Sequence, residues 1–350
     1  MENIEKILII KLRAIGDVVL STIVLDNIRA AFPKARIDFL TEEASKEVVL
    51  GNPILNNVIV YDRSGVSRLS PLKRLARNIK FLQMIRHQNY DLVFDFFGNP
   101  RSAIFTLASK ADSRVGYNFR FRRLAYNIKV DSRADEVHEA LWHLDALTAL
   151  GIPVVSRHLN FEVGEGSRNF AENFWQKEQL YDQKVIAINF SGGWPSKRWY
   201  IDRFAHLADC LIDYYQARVV IVWGPAEKEQ ASELQKLVTR PTVLMPDTNL
   251  KQLAAILQKV DLLVTTDSGP MHIAAAMGTP CVALFGPTDP NLQGPYGDIH
   301  EIINSNEVHC LGCNRVSCET ITCMSTITVR HVLTAVKQCV EHNQLFISLA

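Results

Sequence analysis

The sequence has no hydrophobic run long enough to cross a membrane. Its most apolar stretches, 6–12, 18–25 and 262–266, are bounded by charged residues and fall well short of the ~20 apolar residues that a spanning helix needs. Residues 1–6 lack the basic start of a signal peptide. The seven cysteines are an odd number, which fits a reducing compartment better than a disulfide scaffold. We therefore expect a cytoplasmic protein.

A marked excess of either charge is absent as well. The 350 residues include 38 Lys and Arg and 37 Asp and Glu, and 47% of all residues are hydrophobic. This balance excludes a disordered or collagen-like chain. The length favours two domains, because it exceeds what a single compact core usually holds.

Two common nucleotide-binding fingerprints are also absent. A dinucleotide-binding turn needs three glycines after its first strand, but segment 13–19 has only Gly16. The sequence has no G-x-x-x-x-G-K-[ST] phosphate loop either. Both absences argue against a dehydrogenase and against a P-loop NTPase.

What is present is an alternation of short β-branched runs with helical patterns. In the first half, 18–32 has apolar residues at helical spacing, and the predicted strands are 6–12, 36–40, 58–61 and 91–96. A turn-rich linker at 164–168 is followed by a helix from Asp202 and by predicted strands at 184–189, 217–223, 242–244, 262–266 and 281–285. The pattern predicts two doubly wound α/β domains with parallel sheets, whose ligands bind at the carboxyl ends of the strands.

Two strand ends have residues suited to chemistry. Asp17 follows a glycine between the first strand and its helix, where it is either a helix cap or a carboxylate directed at a ligand. In the second half, Ser268 and Gly269 begin a helix whose first amides can bind an anion. His272, in the first turn of that helix, either donates a hydrogen bond to a phosphate oxygen or is an ordinary surface histidine.

These residues belong to a longer pattern. Thr266-Asp-Ser-Gly-Pro-Met-His272, Gly278-Thr-Pro280 and Leu284-Phe-Gly-Pro-Thr-Asp-Pro290 together resemble glycosyltransferase family 9, the bacterial heptosyltransferases of the lipopolysaccharide inner core. The likeness extends over nearly the whole chain through Arg13-Ala-Ile-Gly-Asp17, 90–96, 191–200 and 223–227.

The resemblance implies a fold and an activity. The fold is GT-B, an α/β fold of two Rossmann-like domains facing a central cleft: 1–165 would bind the acceptor and 166–325 the nucleotide sugar, while the helix in 326–350 would cross back to the first domain. The activity is inverting, metal-independent transfer of a heptose from an ADP-sugar to the lipopolysaccharide inner core, without a cofactor. The alternatives are the same fold with another nucleotide sugar and glycan acceptor, or a non-catalytic protein that binds lipid or a partner.

The resemblance also implies roles for single residues. Asp17 matches the general base of the family. Donor-binding positions match Ser191, Gly192, Lys197, Glu227, Asp267, Ser268, Gly269 and His272. Without the resemblance, Lys197 would be a solvated surface charge and Glu227 a residue at a helix start.

Basic residues concentrate in one region. Between 63 and 133 the chain has 15 Lys and Arg against four Asp, whereas the rest has 23 basic and 33 acidic residues. This field suits a phosphorylated, lipid-linked sugar acceptor, and we expect Arg120, Arg122 and Arg123 to bind it. Segment 63–86 combines seven basic residues with apolar ones and could rest on the anionic inner membrane, or could be a solvated helix face over ordinary core. Nucleic acid is not expected, because no reader motif accompanies the basic residues.

Four cysteines lie in one short segment. Cys310, Cys313, Cys318 and Cys323 have spacings that could wrap a tetrahedral zinc ion, or they could form a reduced, packed loop. We expect no metal in the active site and no catalytic role for these cysteines.

Overall fold

The chain forms two compact units. The structure is a computed structural model that describes residues 4–305 and 308–346. The first unit ends at Glu162 and the second begins at Val163. Each unit contains one six-stranded sheet. This division lies close to the boundary expected at residue 165, while the acceptor and donor roles expected of the two domains stay predictions.

The first sheet is parallel throughout and has the strand order β3-β2-β1-β4-β5-β6. Its strands are β1 (Lys6–Ile10), β2 (Arg36–Glu42), β3 (Asn57–Tyr61), β4 (Leu92–Asp95), β5 (Ser113–Tyr117) and β6 (Ile128–Val130). Its helices are α1 (Ile15–Ser21), α2 (Leu25–Ala31), α3 (Lys46–Val49), α4 (Arg63–Ser67), α5 (Pro71–His87), α6 (Pro100–Ser109) and α7 (Glu139–Thr148). The winding direction reverses between β1 and β4, and ligands of doubly wound sheets bind at such a switch point.

The second sheet repeats this topology with the order β12-β11-β10-β7-β8-β9. Its strands are β7 (Val185–Asn189), β8 (Arg218–Val222), β9 (Val243–Leu244), β10 (Leu262–Thr266), β11 (Cys281–Leu284) and β12 (Glu301–Ile303). Its helices are α8 (Glu165–Lys177), α9 (Ile201–Tyr215), α10 (Lys228–Leu237), α11 (Leu250–Leu257), α12 (Gly269–Ala276), α13 (Pro290–Gln293), α14 (Thr322–Ser325) and α15 (Val329–His342). Its switch point lies between β7 and β10.

Burial on both faces explains why the central strands were visible in the sequence. Every residue of β7 and of β10 is buried, and four of the five residues of β1 are buried. A strand covered by helices on both faces must be apolar along its whole length. The doubly wound α/β fold predicted from these runs is confirmed.

One local prediction was refined and another was wrong. The segment predicted as a helix over 18–32 is helical as far as Ala31, but a 3₁₀ turn at Thr22–Val24 joins α1 to α2. The hydroxyls of Ser21 and Thr22 donate there to carbonyls one turn back, at 2.8 and 2.6 Å, and such bonds bend helices. The linker predicted at 164–168 is instead the start of α8. That helix begins at Glu165, an acidic residue suited to a first turn, and buries Phe174 and Trp175.

The C-terminal helix α15 belongs to the second unit, where it packs on β11, β12 and α9. Val332 and Val336 of its apolar stripe are fully buried. The crossing of segment 326–350 to the first domain stays a prediction. Among the described residues, no helix is both long enough and apolar enough to span a membrane.

Candidate active-site residues

Asp17 lies where β1 passes into α1, at the switch point of the first sheet. The N-cap residue of α1 is Ala14, and Asp17 is half-buried inside the first turn. Any capping role of Asp17 would therefore be that of a first-turn carboxylate rather than that of the N-cap. Such a carboxylate is stabilised by the helix dipole.

A buried lysine, Lys11, lies near Asp17. Lys11 is 3% exposed and donates to Glu139 Oε1 at 2.7 Å and to the Phe96 carbonyl at 3.3 Å. Burial disfavours its charge, but the negative charges of Glu139 and Asp17 outweigh burial and raise the pKa of Lys11. The attraction is mutual, so Lys11 stabilises the ionised carboxylate that a base requires.

Glu139 connects Lys11 to further buried polar groups. His143 Nε2 lies 3.5 Å from Glu139 Oε1, and the Tyr117 hydroxyl lies 3.0 Å from His143 Nδ1. Burial and the charge of Lys11 lower the pKa of His143 to about 4, so this ring is neutral at neutral pH. Burial opposes the charge of Glu139 too, yet Lys11 and His143 hold the pKa of Glu139 well below its usual range. The network keeps Lys11 charged and fixed in place.

The three arginines predicted to bind the acceptor lie in one 3₁₀ turn, Arg120–Ala125. Arg122 donates to the Gly98 carbonyl at 2.5 Å, and its guanidinium lies 4.3 Å from the Phe119 ring centroid. Gly98 follows β4, so this contact holds the turn at the carboxyl edge of the first sheet. Arg120 and Arg123 are exposed there.

A basic cavity at the same edge was not predicted. It has a volume of about 560 Å³, and its lining includes Tyr61, Arg63, Arg74, Asn78 and Arg101. The guanidinium of Arg101 lies 5.3 Å from the Tyr61 ring centroid. Glu42, the last residue of β2, lies 3.5 Å from Arg101 and 3.9 Å from Arg63. Within the described part of the chain, the lining itself has three arginines and no acidic residue, so it is positively charged.

In the second unit, Lys197 and Asp267 form an ion pair. Lys197 Nζ lies 2.5 Å from Asp267 Oδ2, and the Thr288 hydroxyl donates to the same oxygen at 2.5 Å. The Lys197 side chain is 13% exposed and lies over the Trp194 ring. Lys197 is therefore not a solvated surface charge. Asp267 follows β10, so the pair lies at the switch point of the second sheet.

Helix α12 presents its N-terminus at the same place. Ser268 is its N-cap, Gly269 is its first residue, and the Ser268 side chain makes no cap hydrogen bond. His272 is buried, with 6% of its surface exposed, so it is not the surface histidine considered as the alternative. Helix amides and a lysine thus come together around one strand end, and His272 is the fourth residue of the helix that begins there.

The loop after β7 lies beside that helix. The Thr266 hydroxyl donates to the Ser191 carbonyl at 2.5 Å. A Cβ atom at Gly192 would come within 3.2 Å of Lys197 Cβ and 3.4 Å of Thr266 Oγ1. Only glycine fits here without displacing its neighbours, so Gly192 lets the backbone approach the Lys197 region closely.

Glu227 lies after β8, the neighbour of β7. It is the N-cap of α10, and its Oε2 accepts the Gly224 amide at 2.8 Å. Both the helix-start interpretation and a binding role are compatible with this position, because a carboxylate has further lone pairs for a hydroxyl. No described contact joins Glu227 to Lys197 or Asp267.

The cysteine segment contains residues in different surroundings. Cys310, Cys313 and Cys318 are exposed, whereas Cys323 is buried. Burial raises the pKa of the Cys323 thiol, and its Sγ would lie 2.7 Å from a Cβ added at Gly286. Cys323 is therefore a packed residue beneath the 284–290 loop. Within residues 4–305 and 308–346, no three His, Cys, Asp or Glu side chains group as metal ligands.

Sequence reasoning missed Lys11 and Asn189, although both left a signal. Each is a polar residue at the end of an otherwise apolar strand, and each is buried in the structure. A polar group that a buried strand places at its carboxyl end requires partners. Glu139, Tyr61, Arg101 and Thr288 left no comparable signal, because their roles depend on distant partners.

Known proteins are similar to this chain over nearly its full length. A model of glycosyltransferase family 9 (heptosyltransferase) matches residues 78–322, more than half of the chain. Lipopolysaccharide core heptosyltransferase OpsX of Haemophilus influenzae is 25% identical over 314 residues, covering 87% of this chain and 85% of that protein. The crystal structure of a family 9 glycosyl transferase from Veillonella parvula is 26% identical, with a TM-score of 0.86 and coverage of 98% of this chain and 99% of that one.

Escherichia coli heptosyltransferase WaaC, solved with ADP-2-deoxy-2-fluoro heptose, has a TM-score of 0.73 at 22% identity. The match covers 97% of this chain and 99% of WaaC, which confirms the two-domain GT-B fold. The chain belongs to glycosyltransferase family 9.

Proposed function

We propose that this chain transfers a heptose from ADP-heptose to the inner core of lipopolysaccharide. The name of OpsX supports a lipopolysaccharide core acceptor, and the ligand of WaaC supports an ADP-heptose donor. The principal observation is the cluster of Lys197, Asp267 and the N-terminus of α12 at the switch point of the second sheet. Such a point is where doubly wound sheets bind nucleotides.

The donor diphosphate would bind to this cluster. The amides of Ser268 and Gly269 lie at the positive end of α12, where an anion is favoured. Lys197 adds a positive charge. Asp267 forms an ion pair with Lys197 and accepts a hydrogen bond from the Thr288 hydroxyl. These groups stabilise the charge that develops on ADP as it leaves. His272 lies in the same first turn and would contact a phosphate oxygen.

The nucleoside part of the donor would reach Glu227. Its carboxylate already accepts the Gly224 amide, which orients it at the start of α10. The remaining lone pairs suit the ribose hydroxyls, which are donors.

Transfer would take place in one displacement with inversion. The oxygen of the acceptor hydroxyl forms a bond to the anomeric carbon as the bond from that carbon to the ADP oxygen breaks. The bonding electron pair leaves with ADP, and Asp17 accepts the hydroxyl proton. The positive charge of Lys11 favours the ionised form of Asp17 before that step. A base and charge stabilisation of the leaving group are thus supplied by side chains and amides, and we propose that the reaction is metal-independent.

The acceptor would bind to the first unit. Arg120, Arg122 and Arg123 offer guanidinium groups at the carboxyl edge of the sheet, and Arg101 lines the basic cavity at the same edge. Guanidinium groups bind phosphate and carboxylate oxygens in pairs. A phosphorylated, lipid-linked sugar carries the matching charge.

The first unit would also contact the membrane surface that holds this acceptor. Large apolar side chains are exposed on α5, on α6 and around the arginine turn: Leu72, Leu75, Ile79, Ile104, Leu107, Phe119, Phe121 and Leu124. Phe121 is 88% exposed and Leu72 81%. Apolar side chains among basic ones suit a peripheral contact with anionic lipid, here the cytoplasmic face of the inner membrane.

A donor screen combined with a transfer assay tests the proposed function. Thermal stabilisation is measured with ADP-heptose and with UDP- and GDP-sugars, since a ligand at 100 times its dissociation constant adds ~2.7 kcal/mol. Turnover is then followed on heptose-deficient lipopolysaccharide in the presence of EDTA, and the anomer of the product is determined by NMR. Stabilisation by another nucleotide sugar instead of ADP-heptose would identify that sugar as the donor. Acceptor binding without any turnover would favour a non-catalytic role.

A further inference from the structure

Asn189 is a fully buried amide at the centre of the donor cluster. It is the last residue of β7 and has no exposed surface. Its Nδ2 donates to Thr265 Oγ1 and to Ser268 Oγ, both at 2.8 Å. Its Oδ1 accepts the Ser191 hydroxyl at 3.0 Å. One side chain therefore joins the loop after β7 to the loop after β10.

The sheet makes this junction possible. Asn189 and Thr265 are direct partners in the parallel pairing of β7 with β10, so the two loops leave the sheet side by side. The Thr266 hydroxyl adds a second bond between them through the Ser191 carbonyl.

The same contacts determine where the Ser268 hydroxyl points. An N-cap serine usually accepts an amide from the first turn of its own helix. Here Ser268 Oγ instead accepts the Asn189 amide and donates to the Thr266 carbonyl at 3.1 Å, and it makes no cap hydrogen bond. The bond to Asn189 thus takes up the oxygen that would otherwise cap α12.

We propose that Asn189 is the positioning residue of the diphosphate site. By binding Ser268 Oγ it fixes Ser268 at the start of α12, so that the Ser268 and Gly269 amides stay in place for the diphosphate of a nucleotide sugar. By binding Ser191 it holds the neighbouring loop beside them. This inference rests on the proposed ADP-heptose function.

The test compares ADP with adenosine, which lacks the phosphates. In Asn189→Ala, Ser268 and Ser191 lose the side-chain bonds that hold the two loops together. We expect the dissociation constant of ADP, measured by calorimetry, to rise at least ~10-fold, which corresponds to ~1.4 kcal/mol. The dissociation constant of adenosine, measured by competition, should change by less than about twofold. The milder variant Asn189→Ser, too short to reach Ser268, should shift ADP binding in the same direction if the alanine variant does not fold.

A second substitution separates positioning from a general structural role. Ser268→Ala removes the same bond from its other end, so Asn189→Ala combined with Ser268→Ala should raise the ADP dissociation constant by no more than about twofold beyond Asn189→Ala alone. If Asn189 acted independently of Ser268, the losses of the two single variants would add in the double variant.

Asn27→Ala is the matched control. Asn27 is also buried, at 1% exposure, and donates to the Ile23 and Ser156 carbonyls at 2.9 Å within the first unit. The Asn27→Ala variant should have a lower melting temperature, while its ADP dissociation constant stays within about twofold of the parent.

Three results would overturn the inference: unchanged ADP binding in Asn189→Ala, an equal loss for ADP and adenosine, or losses that add in the double variant. Failure of the folded parent to bind ADP is a different result. It would refute the proposed function, and the positioning role with it.

Discussion

Replacing Asp17 with asparagine removes the proposed base and changes little else. The side chain keeps its size and loses its charge inside the first turn of α1, where a carboxylate contributes ~0.3–1 kcal/mol. We therefore expect the melting temperature to fall by only a few degrees, since ~1 kcal/mol shifts it by about 2–4 °C in a unit of this size. Turnover should fall ~10²–10⁴-fold, the usual contribution of a general base. The catalytic loss thus exceeds the stability loss by about 2–5 kcal/mol, and the two effects are separable.

The assay measures transfer to lipopolysaccharide beside an ADP-heptose titration on the same variant. Donor binding should persist, because the proposed diphosphate contacts belong to the second unit. Asp26→Asn is the matched control: Asp26 is also a half-buried first-turn carboxylate, which accepts the Ser156 hydroxyl at 3.0 Å. Its turnover should stay within about twofold of the parent. Near-parent turnover in Asp17→Asn would refute the reasoning, and another base would have to be found.

Three further predictions follow from charge, burial and the cysteine segment. Changing Arg74 and Arg77 together to Glu should weaken the binding of the protein to phosphatidylglycerol vesicles, measured by flotation. The loss should be largest at low salt, because salt screens charges beyond ~8–10 Å at physiological ionic strength. An equal loss of donor affinity would show that the two ligands have been assigned to the wrong units. The lowered pKa of His143, about 4 in the folded protein, means that the unfolded chain binds this proton more readily. The free energy of unfolding should therefore fall as pH drops from about 6.5 towards 4, by up to ~3 kcal/mol from this group, and His143→Gln should flatten the dependence in urea titrations; an unchanged slope contradicts the assignment. The cysteines at 310–323 should be dispensable for turnover, and loss of transfer with an intact fold after a chelator removes a stoichiometric metal would show otherwise.

Much of the fold was visible in local sequence. Buried parallel strands need apolar residues on both faces, so β1, β7 and β10 appear as short β-branched runs. The strands β5, β6 and β12 escaped notice. Both β6 and β12 are three-residue edge strands with an exposed central residue, and β5 begins with the half-buried polar residues Ser113 and Arg114. Their place in the sheet is determined by pairing with a neighbour, which local composition does not reveal.

The sequence by itself determined the two doubly wound domains, the family, and the strand ends where Asp17 and Ser268 lie. These are local properties: an apolar run, a turn, and the residues immediately after it. Only the tertiary structure decided what surrounds them. The packing of α7 against α1 brings Glu139 to Lys11 near Asp17, and pairing of β7 with β10 brings Asn189 to Ser268. Partners so distant along the chain meet only when the sheet forms, so no local pattern could predict the contacts that orient these groups.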